Sequence, residues 1–349
     1  MKPETGSISW RSPSNIALVK YWGKKPVQIP ANPSLSMTLS RAYTELALDF
    51  SPRFEKTAPW LEFLFEGRKQ ENFEKRIADY LRSLLPEFPV LNDYNFKISS
   101  TNTFPHSTGI ASSASSMSAL GLCLADFFSS FSGNFPAGFS RRDFASHLSR
   151  LASGSACRSV YGGYVIWGHV PELAGTSDEF AIPVPFEVNP AFKSMKDAIL
   201  VVSSKEKEIS SRAGHSLMEG HPYAEARYKA AMTNLVNLSA ALLSGDMEEF
   251  VSITESEALN LHALMMSSRP SYLLIEPNTL NIVNAVRLFR KETKIPVCFT
   301  LDAGPNVHLL YPGDNATTIR TWINAELVKF CEGGNWIDDG IGTGPEKIK

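Results

Sequence analysis

The sequence has little that would commit it to metal, disulfide or nucleic-acid chemistry. Its four cysteines, Cys123, Cys157, Cys298 and Cys331, stand far apart without Cys-x-x-Cys spacing. That excludes the usual zinc cage and a disulfide framework and leaves reduced thiols as the expectation. The 7 histidines show no HxxxH-like ligand spacing, so no metal-binding residue is assigned. Charge of one sign is also missing: 34 basic residues face 36 acidic ones, a net charge of −2, and no basic block tracks a phosphate backbone. Nucleic acid is not an expected partner. The opening MKPETGSISWRSPSN lacks the apolar core of a signal peptide, and no apolar run reads as long enough to span a bilayer. The expectation is a soluble, cytoplasmic protein without a membrane partner. Internal repeats and low-complexity tracts are absent too.

What is present is a chain of 349 residues, 43% hydrophobic and 20% charged, which allows one large core or two ordinary ones. The segments SMTLSRAYTELALDF and LEFLFEG alternate like strands, and ENFEKRIADYLRSLL carries Phe73, Ile77, Tyr80, Leu81 and Leu84 at helical spacing until Pro86. A strand over NFKISSTNTF precedes the small-residue and apolar helix ASSASSMSALGLCLADFFSSF, then the helix RRDFASHLSRLAS and strand-like SVYGGYVIWGHV. Prolines cluster in FAIPVPFEVNPAFKSM before a fresh strand, DAILVVSS, so the domain boundary is expected near residue 187, dividing residues 1–187 from 188–349. The second part offers three helices and the strands VCFTLDA and NVHLLYP, an α+β order.

Phe104-Pro-His-Ser-Thr-Gly-Ile-Ala-Ser-Ser-Ala-Ser-Ser116 places a glycine and small hydroxyl residues between a strand and a helix. Gly109 would tolerate backbone conformations that a Cβ blocks, and the free amides of a helix start favour an anion. The same residues also describe an ordinary capped helix with a close-packed face. The run is not a Walker A loop, because no Gly-Lys-Ser/Thr follows. Other candidates have equally plain alternatives. Asp302, between Val297-Cys-Phe-Thr-Leu301 and Ala303-Gly-Pro305, reads as a base or as a turn cap. Arg158 reads as a carboxylate fork or a salt bridge. Tyr21 and Trp22 read as core aromatics and Lys24 as a solvated charge.

Taken together, these stretches resemble one family. Pro105, Ser107, Gly109, Ile110, Ala111, Ser112 and Ser113 stand in a motif similar to that of the GHMP kinases. Ser14-Asn-Ile-Ala-Leu-Val-Lys-Tyr-Trp-Gly-Lys24, Ser153-Gly-Ser-Ala-Cys-Arg-Ser159, Ile209-Ser-Ser-Arg-Ala-Gly214 and Thr300-Leu-Asp-Ala-Gly-Pro-Asn306 resemble the diphosphomevalonate decarboxylase branch. The resemblance implies a two-lobed α+β fold, with a ribosomal protein S5 domain 2-like N-terminal lobe and a ferredoxin-like C-terminal lobe. It implies ATP-dependent decarboxylation of diphosphomevalonate, with ATP on the Pro105–Ser113 stretch and Mg2+ on the nucleotide phosphates.

Asp302, Arg158 and Lys20 would be the catalytic residues. Tyr21, Trp22, Gly23, Lys24, Ser153, Gly154, Ser155, Ala156, Cys157, Arg158, Ser211 and Arg212 would be the substrate-binding set. An early-helix arginine that relatives use for the diphosphate finds no unique counterpart in Gly67–Glu71. Relatives also often form homodimers. The alternatives are a decarboxylase of monophosphorylated mevalonate, a 3-kinase that leaves the carboxylate in place, and a catalytically silent ligand-binding relative. Asp302, Arg158 and the full diphosphate set argue for the decarboxylase over its siblings, and Asp302, Arg158 and the Gly109 loop, all present, argue against the silent relative.

Overall fold

The computed structural model describes residues 5–54, 60–104, 112–132, 135–136, 138–205 and 209–349. Strand β1 (Gly6–Val19) runs into a small hairpin, β2 (Lys24–Lys25) and β3 (Ile29–Pro30), and the chain returns antiparallel to β1 as β4 (Ser34–Pro52). The β1–β4 register slips between Pro13 and Asn15, where proline has no N–H to donate. Along the second half of β4, Leu46, Leu48 and Phe50 are buried and their neighbours partly exposed, the period of a strand with one wet face. The first half, Ser34–Leu39, is buried on both faces, and its Leu35 and Met37 pack against residues from the second half of the chain.

Next come β5 (Leu61–Phe65), β6 (Arg68–Lys69), helix α1 (Glu71–Leu84) and β7 (Tyr94–Asn102), which inserts between β4 and β5. In α1, Ile77, Tyr80, Leu81 and Leu84 are buried as their spacing predicts, and the helix ends two residues before Pro86. Helices α2 (Ser112–Ser132) and α3 (Arg141–Ala152) cover this sheet. One expectation is corrected by α2: Ser112–Phe131 is long and apolar enough by composition to cross a membrane, yet most of it is buried within the protein. Its small and apolar residues pack into the core with Leu46, Phe96 and Phe144.

A second correction concerns Ser159–Val170. Strand β8 (Tyr164–Trp167) is there, pairing with β4 and with β9 (Ala181–Pro183), but Ser159 and Val160 belong to a 3-10 helix, Gly154–Val160. Side chains from elsewhere hold that turn: Asn15 Nδ2 donates to Ser159 Oγ (2.8 Å), and Arg142 Nη1 donates to the Val160 carbonyl (2.7 Å). Local β propensity gives way to these long-range bonds.

The remaining elements are α4 (Pro190–Lys193), β10 (Lys196–Leu200), α5 (Ser211–Ser216), α6 (Ala224–Ser244), α7 (Met247–Ser267), α8 (Pro277–Thr293), β11 (Cys298–Leu301), β12 (Val307–Tyr311), α9 (Ala316–Trp322), β13 (Trp336–Gly340) and β14 (Glu346–Lys347). Strands β11, β12, β10 and β13 form a four-stranded antiparallel sheet in that order. The chain end returns to the first sheet, where β14 pairs with β1 at Trp10 and Arg11. Asp339 of β13 accepts hydrogen bonds from the backbone amides of Ser40 (2.8 Å), Arg41 (2.9 Å) and Ala42 (2.7 Å). One hydrophobic cluster mixes Ile16, Leu18, Leu35 and Met37 with Ile199, Leu235, Phe250 and Leu310, so the two sheets share a core and their mutual orientation is set by packing.

Candidate active site

A cavity of about 560 Å³ lies where the end of β1, the Gly154–Val160 turn, α5 and the end of β11 converge. Lys20 is the residue after β1, and three long-range hydrogen bonds hold its backbone. Its N–H donates to Glu257 Oε2 (2.8 Å), and its carbonyl accepts from Asn32 Nδ2 (2.9 Å) and Arg227 Nη2 (3.1 Å). Glu257, wholly buried on α7, also accepts two bonds from Arg227 of α6 (2.7 and 2.6 Å) and one from Asn234 (2.7 Å). Nothing in the spacing of Glu257, Arg227 and Asn234 along the chain marks them as supports of the site. A bidentate buried pair of this kind is costly to break on one side. Glu257→Gln should therefore lower stability by about 3–5 kcal/mol, because Arg227 would keep its buried charge without a carboxylate. Urea titration beside the wild type checks this, and an unchanged midpoint would deny the pair its anchoring role.

With its backbone fixed, Lys20 directs Nζ to Asp302 Oδ1 at 2.9 Å, the lysine side chain 2% exposed and the aspartate side chain 27% exposed. Burial pushes the Lys20 ammonium below its ordinary pKa, and the Asp302 charge opposes that shift. The Asp302 carbonyl accepts from Gly304 N–H (2.7 Å) and lies 3.1 Å from His262 Nε2. Thus the backbone of Asp302 closes the turn while its carboxylate reaches Lys20 and the cavity.

The Gly154–Val160 turn supplies a second wall. Ser153, Gly154, Ser155 and Arg158 line the cavity, whereas Ala156 and Cys157 are buried behind it. A Cβ on Gly154 would come within 2.8 Å of both Trp167 and the Tyr21 hydroxyl, so only glycine lets this turn sit against the aromatic pair. The Cys157 thiol lies 3.0 Å from the Gly154 carbonyl, and burial pushes its pKa up to about 12, which leaves it a packing residue. Arg158, 2% exposed, donates from Nε to Asn15 Oδ1 (3.3 Å) and Ser36 Oγ (3.1 Å), and from Nη1 to Ser34 Oγ (2.6 Å). These acceptors are neutral, so they orient the guanidinium and leave its charge to act on the cavity.

Lys24, Ser211 and Arg212 also line the cavity, with Tyr21 and Trp22. Gly23 does not line the cavity. Its φ of +92° and its N–H, which donates to His215 Nδ1 (3.0 Å), shape the bend between Trp22 and Lys24. An arginine that the sequence left unassigned, Arg76 of α1, lies beyond the Gly67–Glu71 stretch and lines the cavity. Its position beside the buried stripe Ile77 and Tyr80 was the available signal. Burial, then the charge of Arg212, lowers the pKa of both Arg76 and Lys24. Among the described residues, five cations (Lys20, Lys24, Arg76, Arg158 and Arg212) and one carboxylate, Asp302, line the cavity. Such a balance fits a ligand with several negative charges. Ser112 and Ser113 line the cavity at the start of α2; Pro105, Ser107, Gly109, Ile110 and Ala111 lie outside the described residues.

Residues 12–179 match the diphosphomevalonate decarboxylase-like N-terminal domain, and residues 198–336 match the mevalonate 5-diphosphate decarboxylase C-terminal domain. The diphosphomevalonate decarboxylase of Debaryomyces hansenii is 31% identical over 324 residues, covering 88% of this chain and 80% of that one. The crystal structure of mevalonate diphosphate decarboxylase from Staphylococcus aureus superposes with a TM-score of 0.84 at 29% identity, over 99% of this chain and 98% of that one. A structure of MDDEF in complex with MVAPP, AMPPCP and magnesium gives a TM-score of 0.83 at 27% identity over 99% of both chains. With both halves matched in order and the likeness running nearly end to end, the chain belongs to the diphosphomevalonate decarboxylase family.

Proposed function

We propose that this chain is the ATP-dependent carboxy-lyase that converts (R)-5-diphosphomevalonate into isopentenyl diphosphate, ADP, phosphate and carbon dioxide in the mevalonate pathway. The observation that carries the reading is the cavity itself: a Lys20–Asp302 pair at 2.9 Å within a lining that, among the described residues, holds five cations and one carboxylate. The substrate needs that arrangement. It bears a diphosphate at one end, a carboxylate at the other and a tertiary 3-hydroxyl between them.

In the proposed sequence the Asp302 carboxylate accepts the 3-hydroxyl proton while the oxygen bonds to the γ-phosphorus of ATP and the bond to ADP breaks. The 3-phosphate then departs with its electron pair. The C–C bond to the carboxylate breaks, and its electrons form the alkene as carbon dioxide leaves. Lys20 orients Asp302 and offsets charge on the transferring phosphoryl group. Arg158 holds the carboxylate in the geometry for elimination. Lys24, Ser153, Ser155, Ser211, Arg212 and Arg76 bind the diphosphate, with Tyr21, Trp22 and Gly154 shaping the wall.

ATP is read onto the Pro105–Ser113 motif, supported by Ser112 and Ser113 at the cavity wall and by the AMPPCP complex of the related structure. Magnesium fits as an ion carried by the nucleotide phosphates. Among the described residues no group of three or more His, Cys, Asp or Glu converges, while Ser112 and Ser113 offer hard hydroxyl oxygens. When bound, it screens phosphate charge during transfer.

The lobe boundary near residue 187 belongs to the same proposal, supported by the interval between the two matched ranges, 12–179 and 198–336. A cytoplasmic setting is supported by four free, buried thiols. Homodimer formation rests on family resemblance and is read by light scattering in solution.

The test is turnover with ATP and magnesium of mevalonate, its 5-phosphate and its 5-diphosphate, following carbon dioxide and ADP. Loss of the terminal phosphate should lower kcat/KM by about tenfold to a hundredfold, the value of one charge-assisted contact or slightly more. Equal turnover of the monophosphate would instead favour the sibling decarboxylase, and ADP without carbon dioxide would indicate a 3-kinase.

A further inference from the structure

We propose that His215 is a diphosphate-binding residue, donating from Nε2–H to an anionic oxygen of the substrate as a neutral imidazole among cations. The inference rests on the reading of the cavity as a diphosphomevalonate site. Three independent features of the geometry point to it. First, the ring is wedged between two aromatic side chains, with centroids 4.4 Å from Tyr21 and 4.5 Å from Trp22 and tilts of 40° and 34°. Its orientation is thereby restricted before any ligand arrives, which lowers the ordering cost of binding.

Second, Nδ1 lies 3.0 Å from the backbone nitrogen of Gly23. A backbone N–H can only donate, so Nδ1 must carry the lone pair. Burial, and next the charge of Lys24, lowers the pKa of His215 to about 3, which keeps the ring singly protonated near neutrality. The one remaining proton is therefore on Nε2. Third, His215 lines the cavity together with Lys24, Arg212, Ser153 and Ser155.

A neutral donor has a specific use at this position. Arg212 already lowers the pKa of Lys24, so another cation beside Lys24 would add repulsion whenever the site is empty. A neutral N–H adds a directional bond to phosphate oxygen without that repulsion. It also distinguishes this wall from the flexible ammonium and guanidinium groups beside it, because its aim is set by the Tyr21–Trp22 slot and by Gly23.

Two substitutions separate the donor from the packing. In His215→Asn the amide oxygen can keep the bond from Gly23, but the side chain ends short of the ε position. In His215→Gln an N–H donor reaches that position while the Gly23 contact is lost. The expected result is a rise in KM for diphosphomevalonate of about tenfold to a hundredfold in His215→Asn, with kcat within about threefold and KM for ATP unchanged. His215→Gln should recover part of that loss even though it packs no better. Calorimetric binding of diphosphomevalonate without ATP should follow the same order, and 15N imidazole NMR of the wild type should show the Nε2–H tautomer at neutral pH.

A KM and a dissociation constant in His215→Asn within twofold of wild type would overturn the proposal. So would equal losses in both variants that track equal falls in Tm, which assign His215 to packing alone, and so would an Nδ1–H or imidazolium ring in the wild type. If His215→Asn does not fold, the tautomer and the Gln variant decide. Failure of the wild type to turn over diphosphomevalonate would be a different result, sinking the functional reading before His215 is tested.

Discussion

Asp302→Asn should lower kcat with ATP and diphosphomevalonate by about a thousandfold or more, while binding of both ligands changes little. The substitution keeps the size of the side chain and removes both the base and the negative charge. In the proposed reading, substrate charge is met by other residues that line the cavity, Arg158 toward the carboxylate and Lys24, Arg76 and Arg212 toward the diphosphate. The pair with Lys20 adds a second part to the defect. Asp302 is what raises the pKa of Lys20 against the effect of burial, so its loss moves the lysine further toward the neutral amine. One substitution then removes the proton acceptor and weakens the neighbouring cation. The measurements are kcat, equilibrium binding of each ligand, and a melting curve. Turnover within tenfold of wild type would remove Asp302 from the chemical step. A variant that loses activity together with its fold would assign the residue to architecture.

Arg158→Lys should lower kcat/KM for diphosphomevalonate by about tenfold to a thousandfold, the scale of one or two strong contacts. The substitution replaces the planar fork with a single ammonium. The guanidinium is aimed by Ser34, Ser36 and Asn15 at 2.6, 3.1 and 3.3 Å, three acceptors that a single ammonium cannot all satisfy while also meeting a carboxylate. A lysine at this buried position would also be driven toward the neutral form, since burial already lowers the pKa of Arg158 itself. The defect should therefore appear with diphosphomevalonate and leave KM for ATP unchanged. Native kinetics in a folded variant would take Arg158 out of the site.

Much of the site is legible in the sequence, because its residues come in short blocks. Lys20, Tyr21, Trp22 and Lys24 stand within five residues, as do Ser153, Gly154, Ser155 and Arg158 within six, and both blocks line the cavity. Local chemistry also specified the strands at β4 and β7 and the helix at α1, where apolar period and breaker residues agree. The same locality misled at two places. Gly23, Ala156 and Cys157 belong to those blocks but not to the cavity lining, and Ser159–Val160, strand-like in composition, is held as a 3-10 turn by Asn15 and Arg142.

By itself, the sequence determined the family, the two-lobed α+β class and the blocks that line the cavity, since these depend on neighbouring residues and on hydrophobic period. Only the tertiary structure decided what surrounds them. Glu257 reaches the Lys20 backbone across 237 residues, and Lys20 meets Asp302 across 282. Gly23 meets His215 across 192 residues, and Arg76 enters the cavity from a helix whose periodicity announces its buried stripe but not the neighbour of its polar edge. Side-chain pairing at such separations leaves no periodic trace, because it is set by how the two sheets pack on their shared core rather than by local backbone preference.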